Sequence, residues 1–402
     1  MTENPNESKA VTKGTLAAGF SVASVWFGTH VGAGFATGNQ VLNYYVQYGW
    51  TAVLFPLISM GILAYVIYVI MKFARLRGLD NYNDTFRELW SPYPQLAITF
   101  EIFYIIIILA AVAAAISGAA LLVDDVLGFQ GAGSSASLPS TIIVAVLLIV
   151  LCLFGVKLII AASTVLSVGI LITAGLMIIV GIANRPEAVL EAFTAAPQNP
   201  DGLEGFWRGV VIYCGFQCVS IPPMIAAAVT LNQKGVKKAG VLGGVMNGGM
   251  LALSGLMLLG WQDLIYAAPE SEKAIDLPNL FICGEIGWGW LEIVYSVLLF
   301  CAFVSTCVTL IYTMILRIDK KFFVDKVDVH EKIRMAIIGV VMVAVCMLLS
   351  TFGLTKIITY AYGYDGYLAL VAIVVPVIII GNIKNKKYVR EHPECLKKHG
   401  NA

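Results

Sequence analysis

Long apolar runs alternate with short polar connections along the whole chain. The runs fall at roughly 15–43, 50–72, 95–123, 141–155, 158–183, 206–231, 238–262, 286–316, 333–351 and 367–382, most of them near the roughly 20 residues that carry a helix across a hydrocarbon core about 30 Å thick. Each reads as a transmembrane helix. A further apolar stretch at 354–362 is too short to cross and reads as a re-entrant or interfacial turn ahead of Gly363, Tyr364, Asp365 and Gly366. An eleventh span there is disfavoured.

Two runs are interrupted. Positions 28–38 read GTHVGAGFATG, and each glycine inside a helix costs roughly 1 kcal/mol relative to alanine. Hydrocarbon has no water to satisfy an unwound backbone, so such a break persists only where it lines a site. The sixth run carries Cys214, Gly215, Phe216, Gln217, Cys218, Val219, Ser220, Ile221, Pro222 and Pro223, and prolines remove amide donors and clash with the preceding turn.

Composition agrees with a bilayer solvent. Hydrophobic residues make up 59% of the 402 residues and charged residues 13%, with a mean hydropathy of +0.84, against about 25% charged residues in an ordinary soluble domain. The expectation is an all-α integral membrane protein with one membrane domain spanning 1–402. The first dozen residues, among them Glu3, Glu7 and Lys9, are polar and lack the core and cleavage site of a signal peptide. The first span is therefore expected to stay in place.

Charge sets an orientation. With the amino terminus inside, the cytoplasmic segments hold every one of the 26 Lys and Arg except Arg185, Arg208, Lys273 and Lys356, which is the asymmetry of cytoplasmic loops. Both tails, 1–13 and 384–402, are then cytoplasmic, and the chain is expected in an inner or plasma membrane. The net charge of +1 gives no reason to expect nucleic acid.

The two interrupted runs stand five helices apart. Five is odd, so they enter the membrane from opposite faces, and the halves at about 14–183 and 203–382 form an inverted repeat whose broken helices are equivalent. This order of elements resembles the LeuT-fold amino acid, polyamine and cation transporter superfamily, over nearly the whole chain by topology but only two short motifs by sequence. Within it, the run at 31–38 is most similar to the YkvI-type bacterial membrane proteins.

The second motif is Ala302, Phe303, Val304, Ser305 and Thr306. The resemblance implies a Na+ ion held by the carbonyls of Gly28, Val31 and Ala302 and the hydroxyls of Ser305 and Thr306. Such a set suits a hard cation, because neutral oxygens replace its water shell without a fixed charge that would hold it too tightly. The bland alternative is that both hydroxyls bond back into their own helix.

For substrate, the resemblance places a carboxylate on Gly32, Ala33 and Gly34, whose amides at the start of a half-helix offer donors. Thr29, His30, Tyr104, Gln217 and Ser220 are the side chains expected to complete the pocket. His30 either takes part in function, as substrate ligand or proton relay, or bridges free backbone groups beside the unwound segment. The function implied is a cation-coupled carrier of an amino acid or related small polar metabolite, with Na+ as coupling ion and H+ through His30 as the alternative.

The remaining polar residues read more modestly. Glu101 is expected to be structural, with contact to a cytoplasmic gate as the alternative, Asn247 to serve packing beside Gly240, Gly244 and Gly248, with a second cation or substrate contact as the alternative, Arg208 to anchor the outer start of the sixth helix, and Asp365 to cap a helix or belong to an outer gate. The eight cysteines form no disulfide pattern, and a soft-metal site from His30, Cys214 and Cys218 is disfavoured, as is any Asp-Pro-Gly metal motif, which the chain lacks. No nucleophile elbow, metalloprotease helix or phosphate loop is present. An enzyme is not expected. The competing class is a ligand sensor of the same fold, of the spore germinant receptor type; the unit is expected to be a monomer or homodimer.

Overall fold

The computed structural model describes residues 14–129, 135–152, 156–267, 271–320 and 330–393, leaving aside the side chains at 33, 156–167 and 271–273. Lys9, Lys13, Cys395, Lys397 and Lys398 lie outside the described residues. Among the described residues, seven helices are long and apolar enough to cross a membrane: Thr51–Arg77, Pro94–Leu127, Gly202–Ala228, Gln233–Leu259, Gly289–Ile318, Glu331–Ser350 and Leu354–Glu391. An eighth follows if Val168–Asn184 and Pro186–Ala192, bent by 86°, count as one. The bend falls at Arg185, because the residue before a proline is pushed out of the helical region. Leu16–His30 and Leu138–Val150 are shorter helices at the places of the first and fourth apolar runs. The molecule is a multi-pass, all-helical membrane protein.

Helix ends are set locally. The Thr15 hydroxyl accepts the Ala18 amide at 3.2 Å and starts the first helix, and the Asn232 side chain accepts the Gly235 amide at 2.9 Å and starts the seventh, each satisfying a donor that has no partner inside its helix.

Two expectations need correction. The stretch 354–362 is not a separate turn before a helix at 367–382. Leu354–Glu391 runs as one span, and Asp365 lies inside its helical turn Tyr362–Ala369 instead of capping it. Glycines that look like a loop in sequence are here a contact surface: a methyl group on Gly215 would collide with the Gly366 carbonyl, and one on Gly366 would sit 2.6 Å from the Ile212 carbonyl. Only glycine lets these two backbones touch.

The sixth segment also departs from the reading. It keeps helical turns throughout Gly202–Ala228, changing its winding from π at Trp207–Ile212 to α at Tyr213–Phe216 and 3-10 at Gln217–Ser220. Pro222 and Pro223 do not break it. They fall where the 3-10 turns of Gln217–Ser220 give way to the first α turn of Ile221–Ala228, a position at which proline's fixed φ fits the helix.

The first and seventh helices pack closely on each other. Trp26, fully buried, lies against Gly243, and Gly240, Gly244 and Gly248 face Tyr68, Ala64 and Met60 of the second helix. The packing role expected for that glycine stripe is what the structure shows. Large apolar side chains such as Leu54, Ile105, Val146, Val245, Val297, Leu348 and Val371 remain exposed on outward faces. In water they would be adhesive; lipid tails solvate them.

The Gly215–Gly366 contact yields a test. Gly215→Ala is expected to force the sixth and tenth helices apart and to lower stability by about 1–3 kcal/mol, the usual cost of overpacking, whereas Gly249→Ala, which meets nothing within 4 Å, is expected to be neutral. Equal thermal midpoints for the two variants in detergent would show that this crossing does not constrain the fold.

Candidate functional site

Regular helical bonding stops at His30. The Val31 amide still donates to the Phe27 carbonyl at 2.9 Å, but the Gly32 amide folds back to the His30 carbonyl at 2.8 Å, so neither reaches the carbonyl of Gly28. Helix resumes only as the four residues Ala33–Ala36. The chain then turns at Gly38, whose φ of +83° is a left-handed conformation that glycine adopts freely, and continues as Asn39–Tyr44.

His30, buried beside this stop, is the hub of a polar cluster. Its Nδ1 lies 2.6 Å from Asn247 Oδ1, and its Nε2 lies 3.1 Å from the Tyr213 hydroxyl. Asn247 Nδ2 donates to the Gly243 carbonyl at 2.8 Å, which leaves Oδ1 as an acceptor, so Nδ1 carries a hydrogen. Around Tyr213, Gln40 Oε1 stands at 3.2 Å and Gln217 Nε2 at 3.4 Å. Gln217 donates to the phenol oxygen. With His30 neutral, the single hydroxyl hydrogen of Tyr213 faces two acceptors, His30 Nε2 and Gln40 Oε1. In that state the cluster is one hydrogen short.

A second pair adjoins it. Thr29 donates to the Trp26 carbonyl at 2.8 Å, and its oxygen lies 3.3 Å from Ser220 Oγ. Of the side chains expected in a pocket, Thr29, His30, Gln217 and Ser220 thus come together on the first and sixth helices. Tyr104 does not join them. It stacks on Phe100 and lies under the Arg317 guanidinium, 4.8 Å from its ring centroid.

Gly32, Ala33 and Gly34 present a different picture from the expected amide cradle. The helix they begin is only four residues long, too short to sum an appreciable dipole, and the Gln40 side-chain amide is folded directly onto Gly34. The protein's own amide covers the backbone there.

Among the residues expected to hold Na+, Ser305 donates to the Ala302 carbonyl at 3.1 Å, the back-bonded arrangement of the bland alternative, while its lone pairs stay available. Val31, Ala302 and Ser305 are buried and Thr306 is half-buried. The eighth helix packs against Ala33–Ala36. Tyr295 donates to the Ala36 carbonyl, Asn279 Nδ2 reaches the same oxygen at 3.1 Å, and the Asn279 amide donates to the Thr37 carbonyl at 3.0 Å.

Polar ties close both ends. On one side Thr355 bonds to Asp276 and lies 2.6 Å from Asn39 Nδ2, joining the loop between the seventh and eighth helices to the first and tenth. On the charge-rich side Arg317 pairs with Glu101, which also accepts from Tyr82 at 3.1 Å. Glu101, expected to be structural, links the third helix to the eighth. Arg208 pairs with Glu204 at 3.5 Å and lies over the Tyr44 ring. Outside the spans, Arg185 grips Asp263 with two bonds of 2.6 and 2.8 Å, which holds that carboxyl below its ordinary range.

Sequence reasoning missed Tyr213 and Gln40 and favoured packing for Asn247 over a cation or substrate contact. Tyr213 stands four residues before Gln217, one helical turn away on the same face, and Gln40 is an amide inside an apolar run. Those local signals were visible, though the partnership between the two residues was not. Among the described residues, no group of three or more His, Cys, Asp or Glu is placed to hold a metal ion. Cys218 Sγ instead sits 3.5 Å from the Cys214 carbonyl.

No protein-family model matches the chain, and no curated protein matches it. Solved structures do. MhsT in complex with L-phenylalanine superposes with a TM-score of 0.57 at 14% identity, covering 92% of this chain and 98% of that one. Two structures of a manganese transporter from Eremococcus coleocola, a histidine-to-alanine point mutant and a complex with an aromatic bis-isothiourea compound, give TM-scores of 0.49 at 10% and 12% identity, each over 99% of this chain and 96% of theirs. The likeness to MhsT is one of fold, the LeuT-type arrangement.

A double-mutant cycle tests the hub. His30→Ala and Asn247→Leu are expected to be coupled by about 0.5–3 kcal/mol in thermal stability, as groups in one hydrogen-bond network are, whereas His30→Ala and Tyr104→Leu are expected to add independently. Additivity of the first pair would show that the imidazole–amide contact contributes nothing.

Proposed function

We propose that this protein is a cation-coupled secondary carrier of a small polar metabolite, most favourably an amino acid or related zwitterion, working by alternating access. The observation that carries the reading is the buried cluster of His30, Asn247, Tyr213, Gln40 and Gln217 at the point where the first helix stops. A polar cluster inside a membrane domain is costly and marks a solute or ion pathway. Its missing hydrogen is what the N–H of a bound ligand supplies. The fold shared with MhsT, a protein solved with L-phenylalanine, supports the substrate class.

The proposal includes a five-plus-five inverted repeat with the first and sixth helices as its equivalent members, of the YkvI type. Na+ binds at Gly28, Val31, Ala302, Ser305 and Thr306. The free carbonyl of Gly28 and the lone pairs of Ser305 support this assignment. Ion binding ties the first helix to the eighth, and substrate binding beside Thr29, His30, Gln217 and Ser220, with Gln40 swinging off Gly34 to open the carboxylate site at Gly32, Ala33 and Gly34, permits closure of the outer ties. Opening of the Arg317–Glu101 tie then releases both solutes. By linkage, each tightens the other's binding, typically by about 1–3 kcal/mol.

Reconstituted protein tests this directly. Proteoliposomes are expected to accumulate label from a mixture of radiolabelled amino acids under an inward Na+ gradient and not under choline; binding without accumulation would mark a sensor and contradict the carrier reading. The Ser305→Ala, Thr306→Ala double variant is expected to lose Na+ stimulation, and retention of the wild-type response would remove this ion site. Gln217→Ala is expected to weaken binding of the transported label by about 1–3 kcal/mol, the cost of an unmatched buried polar partner. An unchanged dissociation constant would place the ligand elsewhere.

A further inference from the structure

One strongly polar group in the membrane core has no place in this scheme. Asp365 is only 2% exposed, and both of its carboxylate oxygens are without a hydrogen-bond partner among the described residues. It stands eleven residues into the 38-residue span Leu354–Glu391, inside the helical turn Tyr362–Ala369. The adjacent residue, Gly366, is the point where the tenth helix touches the sixth at Gly215. An ionised carboxylate there would have lost its water and gained neither cation nor donor, a state that proteins avoid by pairing or by neutralising the group.

Among the described residues, nothing packed around it offers a pairing. The tenth helix at Tyr362–Ala369 packs against the third and sixth helices and against its own flanking turns. On the sixth, Arg208 is engaged by Glu204, and the other titratable groups are Tyr213, whose hydroxyl belongs to the His30 cluster, Cys214 and Cys218. On the third, Glu101 pairs with Arg317, Asp124 accepts the Ser137 amide at 2.8 Å, and Asp125 and Tyr104 are the remainder. Tyr360, Tyr362, Tyr364 and Tyr367 lie on its own helix, as does Lys356, nine residues earlier and exposed. None of these groups bonds to Asp365.

We propose that Asp365 is a proton-binding site, loaded in the conformation described here and emptied when the sixth and tenth helices separate and water reaches the carboxylate. One carboxylate oxygen forms an O–H bond with a proton taken from water on the open side; the reverse step returns that proton to water. Asp365 thereby ties closure of the Gly215–Gly366 crossing to proton uptake, which makes it a coupling site distinct from both His30 and the Na+ ligands. Its role in coupling rests on the carrier reading. Its protonation does not.

Infrared spectroscopy of the full chain in nanodiscs at pH 7 reads that protonation without any flux. Wild type is expected to show the carbonyl stretch of a neutral carboxylic acid that shifts when aspartate carboxyls are labelled with carbon-13, and Asp365→Asn is expected to lose that band. Should Asp365→Asn fail to fold, Asp365→Glu in the labelled background is expected to move the band back to its unlabelled position. A wild-type spectrum without an aspartic acid band, or a band unaltered in the variant, would overturn the proposal even if transport is demonstrated. Failure of the uptake experiment would leave the band untouched.

Discussion

A polar group inside hydrocarbon has only protein to bond to, and everything distinctive in this molecule follows from that constraint. Where the first helix stops at His30, its amides turn inward on their own turn and its imidazole is held by Asn247 and Tyr213. Neither partner is local. Asn247 comes from the seventh helix and Tyr213 from the sixth, so the break can exist only in the assembled bundle. The glycine stripe that lets the seventh helix lie close on the second is the structural precondition for presenting Asn247 at the right depth.

The same constraint explains the closure of the two ends. Opposite the charge-rich side, the loop helices that carry Asp276 and Asn279 bond to Thr355, Asn39, Ala36 and Thr37; at the charge-rich side, Arg317 and Glu101 meet between aromatic faces. Each tie joins helices from different parts of the chain. Breaking one is local in chemistry and global in consequence, because it releases a helix from its neighbour without leaving a buried charge if water enters at once. That arrangement suits a molecule that opens at one end at a time.

Much of this was readable from the residues, and the failures are instructive. Apolar runs located the helices because bilayer thickness fixes their length, and four glycines around His30 marked the first stop. Gly363, Tyr364, Asp365 and Gly366 misled because, in a soluble protein, such a run is a turn, whereas here Gly366 meets Gly215 and Ile212 on another helix. Pro222 and Pro223 misled for a related reason: a proline pair breaks a regular α-helix interior, but here it falls where 3-10 turns give way to α turns. Tyr104 was placed by analogy of position, and its side chain instead follows the strongest partner in reach, the Arg317 guanidinium. Tyr213 and Gln40 escaped notice because partnership across helices leaves no short-range pattern in sequence.

The central claim is that a solute sits at the stop in the first helix, against the one-hydrogen-short cluster. Hydrogen-exchange mass spectrometry of the protein in nanodiscs, with and without a saturating mixture of amino acids in Na+, examines that place most directly. Slower exchange confined to residues 28–40 and 213–220 is the result expected from ligand bonds that hold both segments. Unchanged exchange there, with protection appearing only elsewhere in the bundle, would contradict the account.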